Sequence, residues 1–495
     1  MKLEPVIGLE IHVQLTTKSK MFCSCANIFG DVAPNSAICP ICLGYPGTLP
    51  VPNQTAIEWT RKAGAALDCV LATKSKFDRK SYFYPDLPKG YQISQYDEPL
   101  CGKGHLTILV NGEERTIGIT RIHLEEDAAK NTHPTGADYT LVDYNRAGTP
   151  LMEIVTEPDI RTPEEAKLFL QELQRLMRSL GVSTADMEKG QMRCDANISL
   201  REVGSNELHP KTEVKNINSF RNVERALTYE IKRQTSEWQA GNRPQSTTRG
   251  WDADTQATVE QRSKEEAADY RYFPEPDIPP LVFTASENEL VKKSLPELPQ
   301  ERRDRFVRQF GSTLEQAQLL VDEPLLAEFF EDTVSELKEL DEEHEEINAS
   351  DVKKMVAQAT NVILRDIRQL VSDQQLDNST LKIAPANFAE LLLLLYQGKM
   401  NRTALAPVLQ EMQKTGGEAP AILKNLGLEQ VSDSGELNQI IDAVIAEHVE
   451  VVEKIRAGKE AALQFLVGQV MAKTRGKANP AAVRTALREK FGLGE

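Results

Sequence analysis

Four stretches in the first half of the chain alternate apolar and polar residues with a period of two, the mark of a strand whose two faces differ chemically. Ile7, Leu9, Ile11, Val13 and Leu15 point one way, and Gly8, Glu10, His12 and Gln14 the other. Ile122 and Leu124 alternate with Arg121, His123 and Glu125, and Glu126 and Asp127 follow directly. Met192, Cys194, Ala196, Ile198 and Leu200 alternate with Arg193, Asp195, Asn197, Ser199 and Arg201. Thr212 and Val214 alternate with Lys211, Glu213 and Lys215. The pattern predicts an antiparallel sheet whose apolar face packs on helices. One such helix is signalled by Thr162-Pro163-Glu164-Glu165, a cap with proline in the first turn and an acid three residues on, and by Gly181 at its far end.

Beyond the proline string Pro274, Pro276, Pro279 and Pro280, which reads as a boundary, the texture changes. From Ser294 long helical patterns rich in Leu, Glu, Gln and Lys run through residue 400. A turn at Gly416-Gly417 and a helix-turn-helix pattern around Gly476-Lys477-Ala478-Asn479-Pro480 follow. The expected fold class is an α+β N-terminal domain built on an antiparallel sheet, then all-α helical and tail domains, divided as 1–293, 294–409 and 410–495. A length of 495 residues exceeds what one core supports, which agrees with several domains.

Composition changes this picture little, since 40% hydrophobic and 27% charged residues are ordinary for a soluble chain. Charge changes it more. A net charge of -16 argues against nucleic-acid binding over the whole surface, so any such contact must be local. Between Glu453 and Lys490 there are nine Lys or Arg against three Glu, a basic tail on an acidic protein. Residues 331–346 carry nine acids against one lysine and read as a solvated face. The start has no basic leader, and the apolar run Leu391 to Tyr396 is far too short to span a bilayer, so a cytoplasmic protein without a membrane segment is expected.

A wet strand face needs no function, but Asp and Asn are disfavoured in strands and their recurrence here points to a site. Magnesium takes a few carboxylates and leaves the rest of its shell to water and phosphate. Glu10, Glu125, Asp195 and Glu213 are the candidate acids, with Glu10, Glu125 and Glu213 as magnesium ligands and His12 completing the catalytic set. Arg193, Lys215 and Lys80 suit the triphosphate of ATP, stabilising charge on the transferred group. No GxxxxGK[ST] string occurs, so this is not a P-loop site. Cys23-Ser24-Cys25, thirteen residues, then Cys39-Pro40-Ile41-Cys42 gives two close thiol pairs, a spacing suited to structural zinc with no open position. Cys69, Cys101 and Cys194 read as core residues.

Taken together, these strands resemble the GatB family, the B subunits of the aspartyl/glutamyl-tRNA amidotransferases. The matching strings include GLEIHVQL at 8–15, KFDRKSYFYPDLPKGYQISQYD at 76–97, HLEEDAAK at 123–130 and VDYNRAGTPLMEIVTEPD at 142–159. MRCDANISL at 192–200, EVKNINSF at 213–220, DYRYFPEPDIPPL at 269–281 and FLVGQVMAKTRGKANP at 465–480 complete the set. The related GatE proteins carry a large inserted domain for which this length leaves no obvious room. The resemblance implies a cradle domain similar to glutamine synthetase, a helical domain and a YqeY-like tail that binds tRNA, here through Lys473, Arg475 and Lys477. It implies a heterotrimer with a GatA-like glutaminase and a GatC-like small subunit, acting on tRNA(Gln) or tRNA(Asn). It also implies an ammonia channel opening near Lys80, Glu125 and Asp127. Two other readings stay open on the residues alone. A free-standing ligase for a small amino acid would leave the helical half unused, and an RNA-binding scaffold with a decayed site would not keep these acids.

Overall fold

A central strand, Leu3–Gln14, organises the first half of the molecule. In the computed structural model, which describes residues 2–493 except 31, 244, 264–269, 344–346, 429–433, 457–458, 475–477 and 479, it lies in an eight-stranded sheet. The spatial order is Ala257–Ser263, Thr247–Asp252, Thr212–Ile217, Met192–Glu202, Leu3–Gln14, Pro150–Thr156, Glu113–Glu126 and Gly104–Val110. All four strands expected from the alternation are present. The sheet is mixed, however, and not antiparallel throughout: Thr212–Ile217 runs parallel to Thr247–Asp252. The helix Phe220–Gln239 lies between those two strands in sequence, and such a crossover returns the chain in its original direction.

Ile7, Leu9, Ile11 and Val13 are wholly buried in one core with Phe169, Leu170 and Leu173 of the helix Pro163–Ser179. Each such side chain contributes about 1.5–3 kcal/mol on burial. That helix begins and ends as its sequence dictates. The Thr162 hydroxyl accepts from the Glu165 amide at 3.1 Å, Pro163 opens the first turn, and Gly181 follows the last with a φ of +68°. With its apolar side covered in this way, the sheet is left with the face bearing Glu10 and His12.

The chain divides into two compact units, Met1–Pro299 and Gln300–Glu495. The proline string lies inside the first and does not end it. Phe273–Pro274 pairs with Asp78–Ser81, and Leu281–Val282 with Lys74–Ser75. Leu295 and Leu298 also pack on the first core. In the second unit all described secondary structure is helical, from Pro299–Phe310 to Pro480–Phe491. One core there gathers residues from Phe306 to Leu423, and a separate one gathers residues from Ile441 to Leu487. Within the acidic run Glu331 is ion-paired to Arg302 and Arg305, so that acid at least is more than solvated surface.

Candidate functional site

Register across the central strands sets the site. His12 stands opposite Arg193 on one side and Glu153 on the other, and Glu153 in turn stands opposite His123. Four ionisable groups thus share one rung of the sheet. One rung away, Glu10 stands opposite Asp195. Together these side chains line an open cavity of about 870 Å³, which Lys80, Glu125, Asp127, Glu213 and Lys215 also border.

The charges interlock. The His12 Nε2 lies 3.2 Å from Glu153 and 3.8 Å from Glu125, and the His123 Nε2 lies 3.4 Å and 3.6 Å from the same two acids. Burial opposes charge on His123, but Glu153 and Glu125 outweigh it and push the imidazole up to about 9. Burial works against the Glu153 carboxylate too, yet His123 and His12 hold it well below the usual carboxylate range. Ser94 donates to Glu125 at 2.9 Å. Asp127 accepts 2.9 Å bonds on both oxygens from one Arg193 nitrogen and a 2.7 Å bond from Gln14. Although burial disfavours its charge, Arg193 and Arg146 keep its pKa below normal.

A bulge places the third cation. Register jumps from Cys194 opposite Ile217 to Ala196 opposite Val214, which gives the 212–217 strand one extra residue. Asn216 takes up the strain with a φ of 63°, a conformation Asn tolerates better than most residues. Lys215 consequently reaches Asp195 at 2.6 Å and Glu213 at 3.0 Å. Lys80 comes from the strand Asp78–Ser81 and sits 4.9 Å from the Tyr270 ring centroid and 5.9 Å from that of Tyr82. Burial lowers its basicity, but Glu125 leads a set of groups that raise it above the ordinary lysine value.

The residues expected to carry the chemistry, Glu10, His12, Lys80, Glu125, Asp127, Arg193, Asp195, Glu213 and Lys215, therefore all border this cavity. The ligating atoms that converge are a narrower set. Among the described residues, those of His12, Glu125 and Glu153 lie within 4.8 Å of one another. Glu10 is engaged by Asn197 at 3.0 Å, and Glu213 by Lys215 and by Thr248 at 2.9 Å. Glu153 was not among the expected residues, because its strand lacks the alternation: Glu153 lies between the apolar Leu151 and Val155 on one face, a lone acid in an apolar strand. Tyr270 and Tyr272 also border the cavity, and they precede the two-residue strand Phe273–Pro274, too short for alternation to mark. Two carboxylates and one imidazole fit a divalent cation that keeps most of its shell for water and phosphate, the nitrogen being the least typical ligand for magnesium.

The four cysteines form the second convergent group. Their sulfurs lie 3.8 Å (Cys23 to Cys42), 3.5 Å (Cys39 to Cys42) and 3.7 Å (Cys25 to Cys42) apart, and none is disulfide-bonded. A tetrahedron of Zn–S bonds of about 2.3 Å has edges of about 3.8 Å, so the cluster could hold a metal such as zinc. The hydrogen bond from Cys23, with Lys20 nearby, lowers the Cys42 thiol to about 4. Cys69, Cys101 and Cys194 are buried, as core residues should be.

No helix among the described residues is long and apolar enough to cross a membrane. In the basic tail, Lys473 pairs with Glu447, while Arg475 and Lys477 lie outside the described residues.

A family model described as the GatB/GatE catalytic domain matches residues 5–289, and one described as the GatB domain matches residues 329–491. Several relatives are named as the B subunit of an aspartyl/glutamyl-tRNA(Asn/Gln) amidotransferase. That of Thermodesulfovibrio yellowstonii is 48% identical over 484 residues, which covers 98% of each chain. That of Dehalococcoides mccartyi is 47% identical over 496 residues, covering 99% of each. That of Carboxydothermus hydrogenoformans is 46% identical over 491 residues, covering 99% of this chain and 98% of the relative.

Proposed function

The chain belongs to the GatB/GatE family, and from that premise we propose that it is the B subunit of a glutamine-hydrolysing tRNA amidotransferase, a cytoplasmic ligase of protein biosynthesis. It phosphorylates the side-chain carboxylate of Glu-tRNA(Gln) or Asp-tRNA(Asn) with ATP and then replaces phosphate by ammonia. The products are Gln-tRNA(Gln) or Asn-tRNA(Asn), ADP and phosphate. Ammonia comes from a GatA-like glutaminase in a heterotrimer completed by a GatC-like subunit.

The observation that carries this reading is the single sheet face on which lysines, arginines and carboxylates meet around one cavity. A carboxylate resists attack by ammonia until one oxygen becomes a good leaving group. Lys80, Arg193 and Lys215 would neutralise the triphosphate and hold its terminal phosphorus against the incoming carboxylate oxygen. Magnesium, when bound, would withdraw charge from the phosphate oxygens, with His12, Glu125 and Glu153 the nearest ligand set and Glu10 and Glu213 within the same cavity. In the second step ammonia attacks the carbonyl carbon, phosphate leaves, and an acid of the face takes the released proton. Glu125 suits this role, bordering the cavity beside Lys80 and Asp127 where the channel would open. The cysteine cluster would hold a structural zinc.

We keep the division 1–293, 294–409 and 410–495 as part of this proposal, with the tail binding the tRNA body through phosphate contacts at Lys473, Arg475 and Lys477. Release of ADP by the assembled complex should require misacylated tRNA and fall sharply in Glu10→Ala and Glu125→Ala. Full amide formation by both variants with added ammonia would overturn the catalytic face. Truncation before Glu453 should weaken tRNA binding and flatten its salt dependence, and unchanged affinity would remove the tail's role.

A further inference from the structure

Arg121 opens the alternation of Arg121, His123 and Glu125, yet it takes no part in the interlocked charges of the main cavity that it borders. Its place there depends on a bulge. Ile117 and Ile119 of the strand Glu113–Glu126 are buried in the core, and strict alternation would send Arg121 in after them. Register instead jumps from Ile119 opposite Thr156 to Arg121 opposite Val155, so Thr120 is an extra residue that reverses the phase. Ile122 and Leu124 then fill the core, and Arg121 turns to the cavity with His123 and Glu125. On the next rung Glu153 stands between His12 and His123 and pairs with both. On the Arg121 rung the same strand offers only Val155, and Glu10 lies beyond it, roughly 10 Å from Arg121 at about 4.8 Å per strand. Among the described residues the Arg121 side chain has no hydrogen bond or ion pair, and its buried Nε is without a partner. By contrast, Asp127 holds Arg193, and Asp195 and Glu213 hold Lys215. A partly buried cation with no counter-charge carries a penalty that a ligand's anion removes.

We infer that Arg121 binds the side-chain carboxylate of the amino acid carried by the tRNA. The inference rests on the amidotransferase reading and names the residue that recognises the reacting group. His123 is two residues along the same strand, about 7 Å away, so an anion held at Arg121 lies beside the proposed cation site. The guanidinium keeps one carboxylate oxygen while the other attacks the terminal phosphorus of ATP and the bond from that phosphorus to the ADP oxygen breaks. When ammonia adds to the carbonyl carbon, the held oxygen takes the negative charge beside the guanidinium. One nitrogen proton passes to Glu125, and the carbonyl re-forms as phosphate leaves. The amide product is neutral. It gives up the ion pair at Arg121, so one residue admits the acid and releases the amide.

The test measures binding of Glu-tRNA(Gln) and Gln-tRNA(Gln) to the assembled complex with magnesium and without ATP, so that no reaction occurs and contacts to the tRNA body cancel in the ratio. Wild type should bind the glutamyl form about tenfold more tightly. Arg121→Met should bring that ratio to about one by weakening the glutamyl form alone. It should also lower kcat for amide formation about a hundredfold and leave the KM for ATP within about twofold. Arg121→Lys keeps the charge without the planar fork, so it should retain most of the ratio while kcat falls about tenfold, and it covers the case in which Arg121→Met does not fold. Equal binding of the two forms by wild type, a ratio preserved in Arg121→Met, or an unaltered kcat in Arg121→Lys would overturn the assignment, while ADP release that depends on Glu-tRNA(Gln) keeps the amidotransferase reading standing. A raised KM for ATP in Arg121→Met with the ratio intact would give the residue to the nucleotide and also overturn it. A wild-type complex that releases no ADP with Glu-tRNA(Gln) would overturn the amidotransferase reading itself.

Discussion

Two ligand clusters in the first unit invite comparison, because they converge to the same tightness by opposite routes. The four thiols come from twenty consecutive positions, Cys23 to Cys42, whereas His12, Glu125 and Glu153 come from three strands far apart in sequence. The thiol cluster is closed: four soft ligands at tetrahedral spacing leave no place for a substrate. The sheet cluster is open. It offers three harder ligands at the wall of a cavity of about 870 Å³ in which cations and acids alternate. Closure suits stability and openness suits chemistry, so changes to the two clusters should register in different measurements.

The largest expected effect is on the open cluster. Glu153→Ala and Glu125→Gln should each lower amide formation by the assembled complex about 10²–10³-fold, since each removes a carboxylate that would hold the cation neutralising the phosphates. Thermal unfolding should move much less than turnover. A variant that stays active, or one that loses activity only because it unfolds, would put Glu153 in the scaffold.

Next in size is the closed cluster. A strong chelator or Cys42→Ser should strip metal, measured by elemental analysis, and lower the unfolding midpoint by more than about 5 °C. Turnover per folded molecule should stay within roughly a factor of three, because a closed site touches no substrate. Loss of metal without loss of stability would remove its structural role, and metal-free protein as isolated, with an unchanged midpoint in chelator, would remove the metal.

The same contrast explains what could be read without a structure. The thiol spacing is local, and the alternation in 8–15, 121–127, 192–201 and 211–215 reports which side chains share a face, so all four strands and every expected acid on the sheet face were legible. Register between strands is not local. Nothing in PLMEIVT by itself says that Glu153 lies between two histidines, although a lone acid in an apolar strand deserved the question. The parallel pair escaped because Thr247–Asp252 was not read as a strand, and alternation is in any case blind to strand direction. The proline string misled because proline tolerates edge pairing as readily as it ends a domain. Lys80 was legible as a cation, but not its approach to Tyr270, which comes from a distant part of the chain.

The smallest expected effect concerns a link between the loop that carries the thiols and the strand that carries Glu125. Gly44, just beyond the last thiol, has a φ of +67°, and a Cβ there would meet the Lys89 Cγ at 2.6 Å and its backbone nitrogen at 3.0 Å. The thiol loop therefore lies directly on Lys89. The Lys89 ammonium pairs with Glu126 at 2.7 Å, and Glu126 also accepts from the Ile93 amide at 3.0 Å; it follows Glu125 in the chain. This is a mechanical path from the closed cluster to the open one. Lys89→Met keeps the stem that packs under Gly44 and removes only the charge. Glu126 retains its amide donor, so its strand should shift slightly and no ligand should be lost. Turnover should fall about threefold, with metal content of the thiol loop unchanged. No change in turnover would make the clusters independent and sharpen the contrast between them. A fall beyond about a hundredfold, or loss of the loop metal, would mean that closed and open clusters work as one device, and the comparison would break.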